Sequence, residues 1–405
     1  MNVIMIAPGY PAEMPMFARG LSEVGVRVLG VGDQPEGALP EIARKSLSAY
    51  LRVDSFWDEA ALIDQVRHWI SGTQVDRVAC LWEPGMILAA RLREALGVPG
   101  MTVDETIPFR DKERMKQVLD AAGIRTPRHA RASSDDERRE GAERIGFPLI
   151  IKPIAGAGSA DTHRVNDARD LEMALELTRH VPEVSVEEFI EGEEFTFDTI
   201  CAGGEILYHN LAWYRPKPLI GRTVEWISPQ TVTLRNVDAE YLLPGKMMGR
   251  AVLKALGFRS GFTHMEWFLT ANGDAVFGEI AARPPGARSV ELMNYGCDID
   301  VFTGWAEAEC FGRFSQEIAR TYNVAITFKR AQGSGRIRKI EGLGRFMARY
   351  GQHVVCVDLL PVGANRRNWK ATLISDGYLI VRHPDLQTTL EMADRVGTDV
   401  QLYAG

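Results

Sequence analysis

Short apolar runs alternate with amphipathic helical stretches over the first 105 residues of the chain. Apolar runs at residues 3–7, 26–31 and 78–82 predict strands, and periodic apolar positions predict helices between and after them, the last over residues 86–96. Repeated strand–helix units of this kind predict a parallel sheet with helices on both faces. The turn after the first strand reads PGYPAEM and lacks the GxGxxG pattern, which argues against a dinucleotide-binding oxidoreductase.

A second pattern begins near residues 104–108, where we place a domain boundary. Asp111 precedes the amphipathic stretch DKERMKQVLDAAG and is suited to cap a helix there. Lys112 lies in the first turn, where a lysine opposes the helix dipole and by itself says little. The apolar run FPLIIK ends at Lys152 and continues into a glycine-rich loop. Such a loop lets backbone N–H groups approach phosphate oxygens, although a glycine-rich turn without a ligand explains the pattern equally well.

The segment VSVEEFIEGEEFTFDTI reads as a strand that is interrupted at residues 190–192. Glutamates flank the interruption on both sides, at positions 187, 188, 193 and 194. A short hinge between two sheet segments can present backbone groups to the edge of an adenine ring, and a carboxylate beyond it can accept ribose hydroxyls. A solvated acidic strand would show the same pattern, so both interpretations stay open.

The stretch HMEWFLTANGDAVFGEIAARPPGAR contains two alternating apolar runs around Asn272-Gly273, which predicts a hairpin with a two-residue loop. In that register Glu266 lies opposite Glu279, where carboxylates repel each other unless solvent screens them or a cation lies between them. Loss of the Glu279 charge is therefore expected to stabilise the ligand-free protein by about 0.5 kcal/mol. Arg283 is four residues past Glu279 and is expected on the same face. Two carboxylates and a guanidinium suit magnesium and a polyphosphate.

Residues 205–235 alternate apolar and polar positions around a proline-rich loop, which predicts antiparallel strands and a loop over a site. The loop carries Arg215, Lys217 and Arg222, and Arg288 follows the hairpin. Because an arginine fork suits a carboxylate, one or more of these side chains is expected to bind a substrate carboxylate. Solvated loop charges are the alternative.

Two further segments carry sequence patterns that predict structure. A helix after residues 244–245 carries Met247 and Met248, which we interpret as core side chains. Residues 320–405 contain Gly333, Gly335, Gly342 and Gly344 and predict a small α/β or β-rich lobe, with strands at 353–360 and 379–382 followed by a final helix.

Length and composition narrow the class of protein. A chain of 405 residues is expected to form two or three packed units. Its net charge of −7 gives no general attraction to nucleic acid or anionic membranes, and no apolar run approaches the ~20 residues of a membrane-spanning helix. The N-terminus lacks a secretion-signal pattern, and five widely spaced cysteines show no metal-binding spacing. A cytoplasmic protein with reduced thiols is the expectation.

Together, the stretches DKERMKQVLDAAGI, PLIIKPIAGAGSAD, VEEFIEGEEFTFD and HMEWFLTANGDAVFGEIAARPPG resemble the ATP-grasp superfamily, specifically its carboxylate–amine (L-amino-acid) ligases. The resemblance implies an α/β protein with three parts: a pre-ATP-grasp domain at 1–105, a two-lobed α+β ATP-grasp domain at 106–318 with its ATP-binding lobe near 125–195, and a C-terminal lobe at 319–405. It also implies ATP and Mg²⁺ (or Mn²⁺) as cofactors. The implied site comprises phosphate-binding Lys112 and Lys152, the loop residues Gly156, Gly158 and Ser159, the adenine hinge Glu187, Glu188, Phe189 and Ile190, ribose-binding Glu194, metal ligands Glu266 and Glu279, and catalytic Arg283.

The chain departs from the family pattern at three places. Ala281 stands where many relatives have an asparagine two residues after the second metal carboxylate, so a metal would lose that ligand or use water instead. The run PPGARSVELMNY differs from the VEHPVTE-like run of biotin carboxylases, which argues against biotin as substrate. Ala287 replaces the bulky aromatic found in some amino-acid ligases, which implies a roomier pocket there.

The implied reaction is ADP-forming amide or dipeptide synthesis from amino acids or small acids through an acyl phosphate. Two alternatives stay open: a bicarbonate-using carboxylase of the same superfamily, and a regulatory protein that binds ATP without catalysis. The expected partners are small-molecule substrates, with no nucleic acid or membrane, and a homodimer is left open.

Overall fold

The structure is a computed structural model that describes residues 1–156 and 161–405. Its first sheet has four parallel strands in the order β3-β2-β1-β4, as the strand–helix alternation predicted. The elements of this part of the chain are β1 (Asn2–Ile6), α1 (Met14–Glu23), β2 (Arg27–Gly32), α2 (Glu41–Ser46), β3 (Ala49–Arg52), α3 (Glu59–Trp69), β4 (Arg77–Ala79), α4 (Met86–Leu96) and α5 (Val103–Thr106).

A small antiparallel sheet follows, with the strand order β5-β8-β6-β7. Its first helix begins after Asp111, whose carboxylate accepts hydrogen bonds from the backbone N–H groups of Glu113 and Arg114 at 3.0 and 2.9 Å, so the predicted cap is confirmed. The elements are α6 (Lys112–Ala121), β5 (His129–Ala132), α7 (Asp135–Ile145), β6 (Leu149–Pro153), β7 (His163–Val165), α8 (Ala168–Leu177) and β8 (Val184–Glu188).

The largest sheet has eight antiparallel strands in the order β13-β12-β9-β10-β11-β14-β17-β16. It begins directly after the predicted interruption at 190–192. The elements up to residue 311 are β9 (Glu193–Ala202), β10 (Glu205–Arg215), α9 (Pro218–Thr223), β11 (Gln230–Thr233), α10 (Leu243–Ala255), β12 (Gly261–Leu269), β13 (Ala275–Ala281), α11 (Ser289–Cys297) and α12 (Val301–Phe311).

The C-terminal segment contributes to this sheet and adds a small sheet of its own. Its strands β14, β16 and β17 extend the eight-stranded sheet across the predicted boundary at 318, whereas β15 and β18 pair separately. The elements are β14 (Asn323–Phe328), β15 (Ile337–Glu341), α13 (Leu343–Tyr350), β16 (Val354–Leu359), β17 (Gly377–His383), α14 (Leu386–Asp399) and β18 (Gln401–Ala404). No helix within the described residues is both long and apolar enough to cross a membrane.

The two faces of the eight-stranded sheet have different chemistry. Along β9, Phe195 and Phe197 point to one face and join a buried core that includes Trp267 of β12. Thr196 and Asp198 alternate with them, point to the other face and are equally buried. This second face carries the polar side chains of the candidate site.

Helix α10 corrects one expectation about the core. Met248 packs against the core, but Met247 is 70% exposed, so its predicted burial is wrong. The buried face of the helix is formed by Gly249, Val252 and Leu253, and Met247 projects away from that face.

The β12–β13 hairpin has the predicted pairing of Glu266 with Glu279 but a different turn. Thr270 and Asp274 are hydrogen-bonded at 3.0 Å, so the loop has three residues instead of the predicted two. A bulge at Gly278 adds one unpaired residue to β13. This residue offsets the extra residue of the loop and restores the predicted pairing of Glu266 with Glu279. A Cβ atom at Gly278 would lie 2.8 Å from the backbone oxygen of Glu266, so only glycine fits there without a shift.

We predict that Gly278→Ala destabilises the hairpin, because the added methyl group meets backbone that cannot rotate away. The expected loss is about 1–3 kcal/mol, measured as a lower midpoint of thermal or denaturant unfolding. Gly344→Ala is the matched control, because nothing lies within 4 Å of a Cβ atom at this position in α13. An unchanged midpoint for Gly278→Ala would contradict the bulge assignment.

Candidate functional site

The candidate site lies between the antiparallel four-stranded sheet (β5-β8-β6-β7) and the polar face of the eight-stranded sheet. Lys152 on β6 and Glu187 on β8 come from the small sheet, and Glu279 comes from β13 of the large one. Helix α6 adds Lys112 and Lys116, which are four residues apart and therefore share one helix face.

These five side chains form an alternating row of charges. Glu187 lies between two ammonium groups, with Oε1 2.6 Å from Lys116 Nζ and Oε2 2.9 Å from Lys152 Nζ. Glu279 Oε2 lies 3.8 Å from Lys152 Nζ and 3.4 Å from Lys112 Nζ. The row thus runs Lys116, Glu187, Lys152, Glu279, Lys112 and connects helix α6 to both sheets.

The row fixes the charge states of its members. Burial acts to raise the pKa of Glu187, but Lys116 and Lys152 hold this pKa well below its ordinary value. Burial likewise acts to lower the pKa of Lys152, yet Glu187 and Glu279 raise it above its usual range. Both side chains are therefore charged at neutral pH. The pKa of Lys116 is lowered, mainly by burial.

Glu279 is stabilised in this arrangement, contrary to the expectation from the hairpin alone. Burial acts to raise the pKa of Glu279, but Lys112 and Lys152 lower it to about 2. Because the folded-state pKa is below its ordinary value, the contribution of Glu279 to folding is present above that ordinary value and is lost as the pH falls towards 2. Removal of its charge is thus expected to destabilise the ligand-free protein, because the cross-strand repulsion is outweighed by two ammonium groups.

The second hairpin carboxylate, Glu266, belongs to a different set of contacts. Tyr214 donates its hydroxyl to Glu266 Oε1 at 3.3 Å, and His264 Nε2 lies 3.5 Å from the same oxygen. His264 Nδ1 lies 2.6 Å from Asp198 Oδ1. Although burial acts to lower it, hydrogen bonds to Asp198 and Glu266 raise the pKa of His264 to about 9, so both ring nitrogens carry protons at neutral pH.

Asp198 is itself held in place by two side-chain donors. The hydroxyl of Thr196 and the amide of Asn210 reach its Oδ2 at 2.9 and 3.0 Å. All three side chains are buried, and their mutual hydrogen bonds satisfy polar groups that would otherwise be costly to bury. This network orients His264 and through it Glu266.

Glu194 is a further carboxylate on this face. Burial and the nearby charges of Glu266 and Glu279 raise its pKa well above the ordinary value. Glu194, Glu266 and Glu279 are buried or half-buried carboxylates, and they are not all paired with cations. A positive charge is therefore favoured at this corner of the site.

Within residues 1–156 and 161–405, no group of three or more His, Cys, Asp or Glu side chains is arranged to hold a metal ion by itself. The paired carboxylates of Glu266 and Glu279 still fit Mg²⁺, which binds through one or two carboxylates and takes its other oxygens from phosphates and water. The donor set therefore suits a metal that arrives with a phosphorylated ligand.

Arg283 lies beyond β13 and contacts the N-terminal domain. Its Nε is 2.7 Å from Glu83 Oε2, and its Nη1 donates to the carbonyl oxygen of Pro284 at 2.8 Å. Arg110 holds the other oxygen of Glu83. The sequence analysis missed Glu83, although its position after β4, at the carboxyl edge of a parallel sheet, is a usual place for functional side chains.

The predicted hinge begins with the last two residues of β8, Glu187 and Glu188, and continues to Ile190. Glu188 accepts hydrogen bonds from the Arg125 guanidinium at 2.9 Å and from the backbone N–H of Arg128 at 3.1 Å. The ring of Phe189 is exposed in part, and Ile190 is 7% exposed. The carboxylate of Glu188 is thus occupied by arginines, and the backbone N–H of Phe189 donates to the carbonyl oxygen of Pro148 at 3.2 Å.

The hinge passes close to the hairpin. A Cβ atom at Gly192 would lie 2.5 Å from the backbone oxygen of Leu269, so glycine is needed where the chain crosses the end of β12.

The glycine-rich loop is described only at its ends. The carbonyl oxygen of Gly156 accepts a hydrogen bond from Lys112 Nζ at 2.8 Å, which places the start of the loop beside the charged row. The predicted phosphate-binding residues Gly158 and Ser159 lie outside the described residues.

Two of the four predicted substrate-binding cations are engaged by other parts of the chain. Arg215 Nη1 lies 3.2 Å from Asp394 Oδ1 and 2.8 Å from Gln230 Oε1, so it ties β10 to α14. Arg222 donates to the backbone oxygen of Lys370 at 2.9 Å. The structure does not bring these two guanidinium groups into the charged row.

The other two cations have different surroundings. Lys217 Nζ lies 3.5 Å from Glu191 Oε1 and 5.7 Å from the centre of the Phe189 ring, and its charge acts on Glu194. Arg288 pairs with Glu291 at 2.9 Å, while its buried Nε has no hydrogen-bond partner.

Comparisons with known proteins identify the family and the fold. A family model for the ATP-grasp domain matches residues 109–212, and one for the ATP-grasp N-terminal domain matches residues 22–100. The chain is 32% identical over 252 residues to a D-alanine–D-alanine ligase B of Xanthomonas campestris pv. campestris, covering 60% of this chain and 70% of that protein. It is 28% identical over 220 residues to an L-arginine-specific L-amino acid ligase of Bacillus subtilis, covering 52% of each chain.

The crystal structure of an L-amino acid ligase from Bacillus licheniformis superimposes with a TM-score of 0.81 at 22% identity, covering 100% of this chain and 98% of that one. At this identity the match shows the fold, which is that of the ATP-grasp ligases. The chain belongs to the ATP-grasp family. It spans about half the length of the B. subtilis relative.

We predict that Lys116→Met lowers stability by about 3 kcal/mol, because it removes one partner of a buried ion pair. Lys116 is 0% exposed, and Glu187 would keep only Lys152, so the effect falls at the lower end of such losses. The free energy of unfolding, measured with denaturant, checks this. Lys45→Met is the matched control, because its pair with Glu41 is exposed and contributes little. Equal effects of the two substitutions would refute the structural role of Lys116.

Proposed function

We propose that the protein is an ATP-dependent, ADP-forming ligase that joins a carboxylate to an amine through an acyl phosphate. The observation that supports this most directly is the meeting of Lys112, Lys152 and Glu279 between the two sheets, with Arg283 beyond them. Such a cleft offers cations for phosphate oxygens, carboxylates for a metal, and a guanidinium for a developing oxyanion.

In this proposal ATP lies between the two sheets. Lys112 and Lys152 bind its phosphates together with the glycine-rich loop from Gly156 onward. The carbonyl group of Phe189 and the backbone of Ile190 face the adenine edge.

Two glutamates that flank the hinge have different tasks in this proposal. Glu194 accepts the ribose hydroxyls and becomes ionised once positive charge enters the site. Glu187 acts indirectly, because its carboxylate is occupied by Lys116 and Lys152 and fixes the position of Lys152.

Glu266 and Glu279 would hold Mg²⁺ or Mn²⁺ on the phosphates, and the metal would neutralise charge during phosphoryl transfer. His264 and Tyr214 keep the Glu266 carboxylate oriented towards that position. With Ala281 in place of an oxygen-bearing side chain, water would supply any further ligand.

The reaction then has two steps. A substrate carboxylate oxygen forms a bond to the γ-phosphorus of ATP while the bond from that phosphorus to the bridging β–γ oxygen breaks, which releases ADP. An amine nitrogen next attacks the acyl carbon, loses a proton and expels inorganic phosphate. Arg283 stabilises the oxyanion of this second step, and Glu83 holds its guanidinium in position.

An assay of ADP release tests the proposal. Amino acids are supplied singly and in pairs, and bicarbonate is supplied in a separate arm. ADP formation that needs an amine and an organic acid supports the ligase. ADP formation that depends on bicarbonate would indicate a carboxylase, and nucleotide binding without turnover in any arm would indicate a regulatory protein.

We predict that Glu279→Gln abolishes ADP release while the protein stays folded. The neutral amide is a poor metal ligand, and it also leaves Lys112 and Lys152 without their shared carboxylate. Circular dichroism checks the fold, and activity is measured over a range of magnesium concentrations. Full activity of this variant at moderate magnesium would show that Glu279 is not a metal ligand.

We predict that Arg283→Ala retains ATP binding but loses about 10²–10³ in turnover, because its charge is needed as the oxyanion develops. Nucleotide affinity by calorimetry and turnover by ADP release separate the two effects. Arg250→Ala is the control, because this exposed arginine lies on α10. Weakened ATP affinity with an unchanged turnover number would show that Arg283 serves binding instead.

A further inference from the structure

A cavity of about 300 Å³ lies at the carboxyl edge of the parallel sheet. The loops after β1 and β2, strand β3 and the loop that follows it, and the loop after β4 all contribute to its wall, which is the edge where open α/β sheets bind ligands. We call it the aromatic cavity, after the side chains Tyr10, Tyr50, Phe56, Trp57 and Trp82 that line it.

Trp82 is the centre of the ring cluster. Its ring centroid lies 5.2 Å from that of Phe56, 5.9 Å from that of Trp57 and 6.4 Å from that of Tyr10. Trp57 is nevertheless 72% exposed and Tyr10 is 59% exposed. Two large rings at the rim of a cavity are thus left in contact with solvent, although a planar apolar group between them would cover both.

The charge of the wall limits what can enter. Among the described lining residues Asp33 is the only charged one, and none is a lysine or an arginine. A phosphate or a carboxylate would find no cation there, whereas an uncharged aromatic ring would meet edges and faces of other rings. The volume is at the lower limit of small-molecule pockets, about 300 Å³, and suits a single ring system.

The cavity is connected to the proposed reaction centre by two chain segments. Trp82 is followed directly by Glu83, whose carboxylate binds Arg283 at 2.7 Å. The loop that carries Tyr10 continues to Glu13, whose Oε1 accepts a hydrogen bond from the backbone N–H of Arg288 at 3.3 Å. The wall of the cavity is therefore joined along the chain to residues that contact Arg283 and Arg288.

We propose that the aromatic cavity binds the aromatic side chain of one of the two amino-acid substrates. This inference rests on the proposed ligase function and assigns its substrate class. The exposed rings of Trp57 and Tyr10 contact the ring of the substrate beside Trp82, and the absence of a cation from the described wall excludes phosphorylated substrates from this position.

The test compares phenylalanine and tryptophan with alanine as substrates of the wild-type protein and of Trp57→Ala. The wild type is expected to show a kcat/KM for the aromatic substrates at least about tenfold above that for alanine. Trp57→Ala is expected to lose about tenfold for the aromatic substrates, chiefly through KM, and to keep its kcat/KM for alanine. The exposure of Trp57 makes loss of folding an unexpected outcome, and thermal unfolding verifies this.

Trp226→Ala is the matched control, because Trp226 is 85% exposed and is not among the residues lining the cavity. Equal kcat/KM for aromatic and small substrates in the wild type would overturn the inference. So would an equal loss of selectivity in both tryptophan variants.

A binding experiment separates this inference from the proposed function. Phenylalaninamide and alaninamide are titrated calorimetrically into the wild type and Trp57→Ala without ATP. The ligase function fails if no combination of acid and amine gives ADP. The cavity assignment still stands in that case if phenylalaninamide binds at least about tenfold more tightly than alaninamide to the wild type and loses this advantage in Trp57→Ala. Tighter binding of ribose 5-phosphate than of phenylalaninamide overturns the cavity assignment.

Discussion

The buried carboxylate of Glu187 is the constraint on which the arrangement of the site depends. An ionised glutamate that is 3% exposed is stable only when cations and hydrogen bonds replace the water it has lost. Lys116 of helix α6 and Lys152 of strand β6 supply those cations. Helix and sheet are thereby locked together, and the ammonium group of Lys152 is fixed at the distance from Glu279 that the site requires.

The eight-stranded sheet, which contributes Glu279 to this row, buries apolar side chains on one face and polar side chains on the other. One face is apolar and packs Phe195, Phe197 and Trp267 into the core. The other face buries polar side chains and satisfies them among themselves, as Asp198 does with His264. Because a partly satisfied network in a poorly solvated site is costly, this pairing also restricts where Glu266 can point.

Contacts between distant parts of the chain complete the site. The ion pair of Arg283 with Glu83 spans 200 residues of sequence and joins the hairpin to the parallel domain. Because Arg110 holds the other oxygen of Glu83, the guanidinium of Arg283 is anchored in the absence of substrate. The aromatic cavity lies at the same edge, so one loop after β4 serves both the charged centre and the apolar pocket.

The sequence by itself determined the features that depend on neighbours along the chain. Alternation predicted the parallel sheet and the two strands around residues 190–192, and the residues around Asn272-Gly273 predicted the pairing of Glu266 with Glu279. That pairing survived an incorrect turn because the extra loop residue is offset by the bulge at Gly278, so the parity of side chains was conserved.

The tertiary structure decided which charges meet, because periodicity reports the face of an element and not the element that covers it. Lys116 looked like any helical lysine, and nothing local distinguished it from an exposed one. The exposure of Met247 and the pairing of Arg215 with Asp394 of α14 were likewise set by which elements pack against them, which the local sequence does not reveal. The two lysines of the row also reversed the sign expected for Glu279, since cross-strand repulsion is a local effect and its compensation comes from another sheet and another helix.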